Sequence, residues 1–313
     1  MRLIRDLTHF TPPSSGLSIA LGNFDGMHLG HKAVIHQALA HAKTKRIPSA
    51  VVTFAPHPRR FFAPELPPLC LSTFREKWDA VASLGADMLI ALRFNGELAR
   101  LSPESFLNDI LLKRLNTRAI SVGHNFRFGH DRSGDTAFLA REAQKSNFVL
   151  QEAKEVTLGG SVCSSSRLRE LLKAGEVSAA AKLLGCPFAI SGRVIHGDKR
   201  GRSLGFPTAN IPLSHRFTPA NGVYAAHVQW QPNSPLPAVV NIGTRPSFDG
   251  RAPLLEAHLL APVPSLYGKR LQVELLHFIR PEKRFSSVSE LTVQIQADTD
   301  YAQDFLMKVS HAI

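Results

Sequence analysis

Two different hydrophobic periods divide this chain. Up to about residue 152, short apolar runs alternate with segments whose apolar positions recur every three or four residues. The short runs predict buried strands, and the longer spacing predicts helices with one apolar face. Such alternation is typical of βαβ units, so this part predicts an α/β fold with a doubly wound parallel sheet. The predicted strands are 17–21, 49–54, 88–92 and 118–122, and the predicted helices are 32–43, 73–84, one that starts at 103, and 135–145.

The hydrophobic period changes at Gly185-Cys186-Pro187, which follows two predicted helices that end at 173 and 184. Beyond this point apolar and polar residues alternate, and clusters of Gly, Pro and Asn separate the runs, which predicts a compact antiparallel β-barrel. A capping box at Ser287-x-x-Glu290 predicts a C-terminal helix. We therefore expect two domains, 1–184 and 185–313. The predicted barrel strands are 188–194, 223–229, 238–242, 254–260 and 271–278.

Composition and charge narrow the class of protein. With 313 residues, 44% hydrophobic and 20% charged, the chain is expected to be soluble and globular. It contains no apolar run long enough for a membrane helix, and its first ten residues lack a secretory signal. Three scattered cysteines argue against a disulfide framework and predict a cytoplasmic location. The net charge of +12 predicts a negatively charged partner, which charge alone leaves open between nucleic acid, an anionic membrane surface and a polyphosphate such as ATP.

The first stretch with candidate chemistry runs from Gly22 to His31, between a predicted strand and a predicted helix. Unpaired N–H groups and the dipole at a helix N-terminus attract phosphate, and Gly22, Gly26 and Gly30 let the main chain approach a ligand closely. His28 and His31 are three residues apart, so on a first helical turn they face the same side and can donate hydrogen bonds to phosphate. The alternatives are an ordinary turn with structural histidines, or a zinc site, for which no nearby cysteine pair or glutamate-bearing helix motif supplies the third and fourth ligands.

Three further segments follow predicted strands or precede a helix. The first is a loop stiffened by prolines that could line a pocket, and the second offers aromatic faces and an Arg that could meet a planar ring or a phosphate. The third combines hydroxyls, a helix start and two arginines, which suits a second phosphate site. Ordinary loops and a serine helix cap are the alternatives. The segments are Phe54-Ala55-Pro56-His57-Pro58, Gly123-His124-Asn125-Phe126-Arg127-Phe128-Gly129 and Ser164-Ser165-Ser166-Arg167-Leu168-Arg169.

A second dense stretch lies between Gly192 and Asn210, at the start of the predicted barrel. Its glycines and basic residues could surround a polyphosphate with N–H groups and cations, although the residue order of a Walker P-loop is absent. Thr208 and Asn210 offer neutral oxygens on one side of a strand, which suits Mg²⁺ shared with phosphate. A basic hairpin loop is the alternative.

Both stretches resemble known signatures. Gly22-Asn23-Phe24-Asp25-Gly26-x-His28-x-Gly30-His31 resembles the signature of HxGH nucleotidyltransferases, in the form found in bacterial bifunctional riboflavin kinase/FMN adenylyltransferases. Leu204-Gly205-Phe206-Pro207-Thr208-Ala209-Asn210 resembles the riboflavin kinase signature. Further similar segments follow in order, and the similarity runs from about residue 17 to residue 305. They are 221–224, 241–246, 256–259 and 278–280.

The resemblance implies a Rossmann-like adenylyltransferase domain followed by a riboflavin kinase barrel. The barrel would phosphorylate riboflavin with ATP to give FMN, with Mg²⁺ on Thr208 and Asn210 and with Glu256 as catalytic base. The first domain would adenylylate FMN with a second ATP to give FAD and pyrophosphate, with His28 and His31 as catalytic residues. The implied adenylyltransferase ligand residues are Gly22, Asn23, Phe24, Asp25, Gly26, Pro56, His57, Asn125, Phe128, Ser164, Ser165, Ser166, Arg167 and Arg169. The implied kinase ligand residues are Gly192, Gly197, Lys199, Gly201, Arg202, Gly205, Pro207, Thr208, Asn210, Asn241 and Arg280.

Two other functions compete with this hypothesis. One is a nucleotidyltransferase for another vitamin with a regulatory barrel, against which the Pro207–Asn210 stretch argues. The other is a nucleic-acid-binding protein, which would need aromatic stacking platforms, whereas the chain has only two Trp and three Tyr. We therefore expect small-molecule partners, with neither nucleic acid nor membrane among them.

Overall fold

A computed structural model describes residues 1–197, 204–230, 233–247 and 250–310. The chain divides into two compact units, Met1–Ser165 and Ser166–Ile313. None of the helices within the described ranges is long and apolar enough to cross a membrane.

The first unit is built on a six-stranded sheet in which every pairing is parallel. The strands are β1 (Arg2–Ile4), β2 (Leu17–Leu21), β3 (Ser49–Ala55), β4 (Met88–Arg93), β5 (Thr117–Gly123) and β6 (Val149–Ala153). Their order is β1-β4-β3-β2-β5-β6, which confirms the predicted doubly wound sheet. The chain moves outward from β2 through β3 to β4 and then returns to the other side of β2. This reversal places a crevice at the carboxyl ends of β2 and β5, where α/β sheets bind ligands.

Helices cover both faces of this sheet. Leu17, Ile19 and Leu21 of β2 pack into one buried cluster, and the intervening Ala20 packs into another with Ile35. Both faces are apolar because a parallel sheet is covered on each side. The helices are α1 (Leu29–Lys45), α2 (Pro58–Phe62), α3 (Phe74–Ser83), α4 (Gly96–Arg100), α5 (Pro103–Ser105), a π-helix (Phe106–Arg114), a 3-10 helix (His130–Arg132) and α6 (Thr136–Lys145). A short hairpin, β7 (Thr157–Leu158) and β8 (Ser161–Val162), ends the unit.

The second unit is a nearly closed antiparallel barrel, as predicted. Helices α7 (Ser165–Lys173) and α8 (Val177–Leu184) lead into it. Its strands are β9 (Phe188–Arg193), β10 (Ala209–Pro212), β11 (Gly222–Gln229), β12 (Leu236–Ser247), β13 (Gly250–Leu259) and β14 (Arg270–Pro281), followed by helix α9 (Val288–Ser310). Their order is β10-β13-β12-β11-β14-β9. A bridge between Ile195 and Asn210 then joins the two ends of the sheet.

Two of the predicted ligand glycines, Gly192 and Gly197, allow close packing where the two ends of the sheet meet. A Cβ on Gly192 would overlap the side chain of Ile211 on β10. A Cβ on Gly197 would lie 2.6 Å from Nδ2 of Asn210, well inside van der Waals contact. Both glycines therefore let the chain after β9 pass close to β10.

Helix α9 covers part of the barrel's outer face. Val223, Ala225 and Val239 point outward and form a buried cluster with Ala302 and Leu306 of the helix. Because successive strand side chains point to opposite faces, the residues between them fill the interior. The fully buried interior side chains include Tyr224, Ala226, Val240 and Ile242.

Helices α7 and α8 belong structurally with the barrel, so two fragments should differ in stability. Helix α8 packs against β14 and β9, and its Val177, Ala180, Leu183 and Leu184 are buried. We expect the fragment 185–313 to melt about 10 °C or more below the fragment 166–313. Each lost leucine contributes roughly 2 kcal/mol of burial, and 1 kcal/mol shifts the Tm of such a domain by about 4 °C. Circular dichroism melts of both fragments measure this, and equal Tm values would contradict it. The predicted boundary at 184/185 stays a prediction.

Candidate active sites

The turn after β2 lies at the carboxyl edge of the parallel sheet. Phe24 and Met27 have φ angles of 47° and 43°, a left-handed backbone that non-glycine residues rarely adopt. Both side chains are buried in the cluster under α1. Strained backbone of this kind persists only where the surrounding packing enforces it, and it is concentrated at functional sites.

His28 caps α1, which the sequence had not predicted. Its Nδ1 accepts a hydrogen bond from the N–H of His31 at 3.3 Å. Because Nδ1 accepts, the neutral ring carries its proton on Nε2, which can donate to a phosphate oxygen. The two imidazoles stack with centroids 3.7 Å apart, and the Phe24 ring meets His31 edge-on. The turn therefore presents the histidines as a packed pair rather than as two independent side chains.

Hydrogen bonds tie the turn to two distant segments. The Ser165 hydroxyl donates to the Asp25 carbonyl at 2.8 Å, so the turn and the Ser164-Ser165 segment are brought together. Asp25 is 3% exposed, and its carboxylate accepts from the N–H of Ser72 at 3.1 Å. The N–H of Gly26 in turn donates to the Ser72 hydroxyl at 3.2 Å. Asp25 thus holds the turn in shape. Across the described part of the chain, no group of three or more His, Cys, Asp or Glu is placed to hold a metal, so the zinc alternative gains no support.

The other predicted residues of the first site lie at neighbouring strand ends. Pro56 is exposed after β3, and His57 caps α2 by accepting from the N–H of Arg59 at 3.2 Å. Asn125 is exposed after β5. Phe128, in contrast, is a core side chain whose ring packs with Phe106, Phe126 and Phe138.

A group of exposed aromatic side chains at the same edge escaped the sequence analysis. Phe61 and Phe62 on α2 are 38% and 67% exposed, and their rings lie 5.4 and 5.7 Å from that of Phe94, which follows β4. Solvent-exposed aromatic faces at a ligand-binding edge suit a planar ring system. The available signal was a pair of adjacent phenylalanines on a short segment that also carries Arg59 and Arg60.

The predicted residues that follow Ser165 belong to the second unit. Ser166 and Arg167 are exposed, and Arg167 pairs with Glu170 on the same helix at 3.4 Å. Arg169 is half-buried.

In the barrel, three polar residues lie side by side on adjacent strands. Asn210 of β10 is paired with Glu256 of β13, and Glu256 is paired with Asn241 of β12. Directly paired residues share a face with Cβ atoms about 5 Å apart. The row lies on the outer face, because Asn241 is also paired with the outward-facing Val223. Pairing across strands thus joins a predicted base, a predicted metal ligand and a predicted ligand residue.

The segment before β10 is held against this row. The carbonyl of Pro207 lies 2.9 Å from Nδ1 of His258, two residues after Glu256 on the same face. The Asn210 amide donates to the Thr208 carbonyl at 3.4 Å. These contacts bring Thr208, Asn210 and Glu256 into one neighbourhood.

The remaining predicted kinase residues differ in their surroundings. Arg280 is paired with Val223, and its guanidinium donates to both carboxylate oxygens of the buried Asp298 on α9, the shortest contact being 2.6 Å. A bidentate pair of this kind anchors the helix to the barrel. Gly205 is exposed, with a φ of 88°. Lys199, Gly201 and Arg202 lie outside the described residues.

The chain matches two protein families over successive parts of its length. Residues 11–167 match FAD synthetase, and residues 184–306 match riboflavin kinase. A bifunctional riboflavin kinase/FMN adenylyltransferase from Escherichia coli (strain K12) is 40% identical over 306 residues, covering 97% of this chain and 98% of the relative. The chain belongs to this bifunctional riboflavin kinase/FMN adenylyltransferase family.

Other comparisons agree along the whole chain. A riboflavin kinase/FMN adenylyltransferase of the same name from Pseudomonas fluorescens is 40% identical over 313 residues, covering 99% of this chain and all of the relative. The solved structure of a protein named macrolide-efflux protein, from Streptococcus pneumoniae, has a TM-score of 0.85 and 29% identity, covering 96% of this chain and 98% of that one. As a riboflavin kinase/FMN adenylyltransferase, the chain phosphorylates riboflavin to FMN and adenylylates FMN to FAD, both with ATP.

Proposed function

We propose that adenylyl transfer takes place at the turn between β2 and α1. A phosphate oxygen of FMN attacks the α-phosphorus of ATP, a new P–O bond forms, and the bond to the departing pyrophosphate breaks. His28 and His31 donate hydrogen bonds to the oxygens on which charge develops, together with N–H groups at the start of α1. The observation that supports this role is the cap geometry of His28, which leaves the proton on Nε2. The Ser164-Ser165 segment, which is tied to the turn, would meet another part of the triphosphate.

The exposed aromatic rings suggest where the flavin lies in this reaction. The exposed Phe61 and Phe62 follow β3, which neighbours β2, and they contact the half-buried Phe94, which follows β4. A planar isoalloxazine would cover their apolar faces, and Asn125 at the end of β5 could bind its polar edge. Phe128 would then support the site from the core.

We further propose that kinase chemistry takes place on the outer-face row of the barrel. Glu256 takes the proton from the 5′-hydroxyl of riboflavin as that oxygen attacks the γ-phosphorus of ATP, and ADP leaves with the electrons of the broken P–O bond. Asn241, paired with Glu256, is placed to bind the substrate beside it. The observation that supports this assignment is the pairing of Asn210, Glu256 and Asn241 across three strands.

The residues of this row fit a divalent cation, which we propose to be Mg²⁺. Asn210 is 5% exposed, and its Oδ1 is buried without a hydrogen-bond partner among the described residues. An unsatisfied buried oxygen costs free energy, and a hard cation would satisfy it. Thr208, held nearby, would supply a second neutral oxygen. When bound, the cation would neutralise charge on the ATP phosphates, while Glu256 acts on the hydroxyl.

Asn210→Ala should therefore weaken metal use by the kinase. Removing the buried oxygen should raise the Mg²⁺ concentration for half-maximal FMN formation by about 10-fold or more, the range typical of lost metal-site interactions. Titrating Mg²⁺ at saturating ATP and riboflavin measures this. Asn233→Ala, which changes an exposed asparagine of the same unit, is the matched control. An unchanged Mg²⁺ requirement in folded Asn210→Ala would exclude Asn210 as a ligand.

We also propose a cytoplasmic enzyme whose partners are ATP, riboflavin and FMN rather than nucleic acid. None of Cys70, Cys163 and Cys186, all among the described residues, forms a disulfide, which supports a reducing compartment.

A further inference from the structure

A buried lysine contacts the turn between β2 and α1 from below. Lys77 of α3 is 7% exposed, and its ammonium donates to the Asn23 carbonyl at 2.6 Å and to the Thr53 hydroxyl at 3.1 Å. Thr53, at the end of β3, donates to the same Asn23 carbonyl at 3.1 Å. One carbonyl of the turn is therefore held by two donors, one from a helix and one from a strand.

This arrangement is costly for the fold. Burial lowers the pKa of Lys77, while the nearby Asp25 and Cys70 act in the opposite direction. Replacing a whole buried ion pair by hydrophobic side chains of similar volume is often neutral or stabilising, whereas removing one charged partner alone is destabilising. The position itself is one that would otherwise be apolar, because Lys77 lies between Phe74 and Val81 on the buried face of α3.

The buried ammonium of Lys77 holds the main chain at the start of the turn between β2 and α1. Asn23 stands between the end of β2 and the left-handed residue Phe24, and its carbonyl orientation sets the direction of the chain that leads to His28. Ser72, just before α3, holds Asp25 and Gly26 of the same turn. Lys77 on α3 and Ser72, just before α3, thus hold the turn through hydrogen bonds from the same segment of the chain.

We propose that Lys77 is a positioning residue for adenylyl transfer, whose ammonium fixes the Asn23 carbonyl and thereby the placement of His28 and His31. The proposal rests on the assignment of that reaction to the turn between β2 and α1. Because Lys77 acts through the turn, its loss should reduce kcat more than substrate binding. A displacement of about 1 Å in such a constellation can cost about 100-fold in rate.

Lys77→Met tests this, since methionine keeps the length of the stem and removes the ammonium. We expect kcat for FAD formation from FMN to fall about 10- to 100-fold, with KM for FMN and ATP within threefold of the wild type. The Tm should fall, because the buried Asp25 loses a nearby opposite charge, so kcat is measured per folded molecule, and FMN formation by the same polypeptide should be unaffected. Lys43→Met, the same substitution at an exposed site on α1, is the matched control. A purely structural role would lower the Tm and leave kcat per folded molecule unchanged.

Further variants give every outcome a meaning. A kcat within twofold of the wild type in Lys77→Met overturns the proposal. If that variant does not fold, Lys77→Gln decides, because it also removes the ammonium from the Asn23 carbonyl: a three- to tenfold loss of kcat per folded molecule supports the proposal and an unchanged kcat overturns it. His28→Asn is assayed in parallel. If it retains FAD formation, the turn is not the adenylyltransferase site and both proposals fail; if only Lys77→Met is active, the assignment of the site survives and the role of Lys77 does not.

Discussion

His28→Asn is expected to abolish FAD formation while FMN still accumulates from riboflavin. Asparagine is a good N-cap residue, so the start of α1 is preserved, whereas the Nε2–H donor is lost. Removing one donor that stabilises transition-state charge costs about 100- to 1,000-fold in kcat. His31→Ala should act in the same direction, because its ring stacks on His28. The measurement is a chromatographic time course of both flavin products from riboflavin, ATP and Mg²⁺.

A matched control for this prediction lies on the same helix. His36 is exposed on α1, so His36→Asn makes the same chemical change away from the turn and should leave both products unchanged. If His28→Asn lost both activities equally while melting like the wild type, the assignment of two separate sites would be wrong.

Glu256→Gln should have the opposite effect, with little FMN made from riboflavin but FAD still made from supplied FMN. Glutamine keeps the size of the side chain and its place in the row, and it removes the base, so a loss of about 100- to 10,000-fold is expected. The assay measures initial rates of FMN formation, with FAD formation from FMN as an internal standard.

Glu274→Gln provides the corresponding control in the barrel. Glu274 is a half-buried glutamate of β14 that accepts a hydrogen bond from Gln272, and its replacement should leave the kinase rate unchanged. Kinase turnover near the wild-type rate in Glu256→Gln would show that Glu256 is not the catalytic base.

The architecture could be predicted from the sequence because the burial of one face of a helix or strand produces a regular spacing of hydrophobic residues. A parallel sheet covered on both faces has continuous apolar strands, whereas the strands of an antiparallel barrel alternate apolar and polar residues. Both architectures were predicted correctly from these patterns. Local details were less accessible. Helix α1 was predicted to begin at Lys32, but it begins at Leu29. The earlier start was missed because histidine is not among the usual capping residues, so His28 was not recognised as the cap. The π-helix from Phe106 to Arg114 has the apolar content of an ordinary helix, so its geometry gave no signal.

The site was less predictable because it depends on contacts between distant residues. Motif spacing named Asn210 and Glu256, but only strand pairing shows that they are neighbours. Phe128 is expected to bind ligand, and its side chain packs in the core. Its role in binding stays a prediction, because the sequence does not distinguish a ligand-binding aromatic residue from a packing one. Lys77 could have been found as a lysine at an apolar position of a helix, three residues after Phe74.

The outward placement of the polar row gives the barrel an evolutionary freedom. Leu255 and Ala257 on either side of Glu256 are fully buried in the interior, whereas Glu256 faces outward. On β13 the proposed catalytic side chain therefore alternates with side chains that pack the interior. If the row is the kinase site as proposed, a substitution at Glu256 changes the chemistry of the outer face without replacing an interior side chain. We therefore expect a barrel that loses its reaction through such a substitution to remain folded.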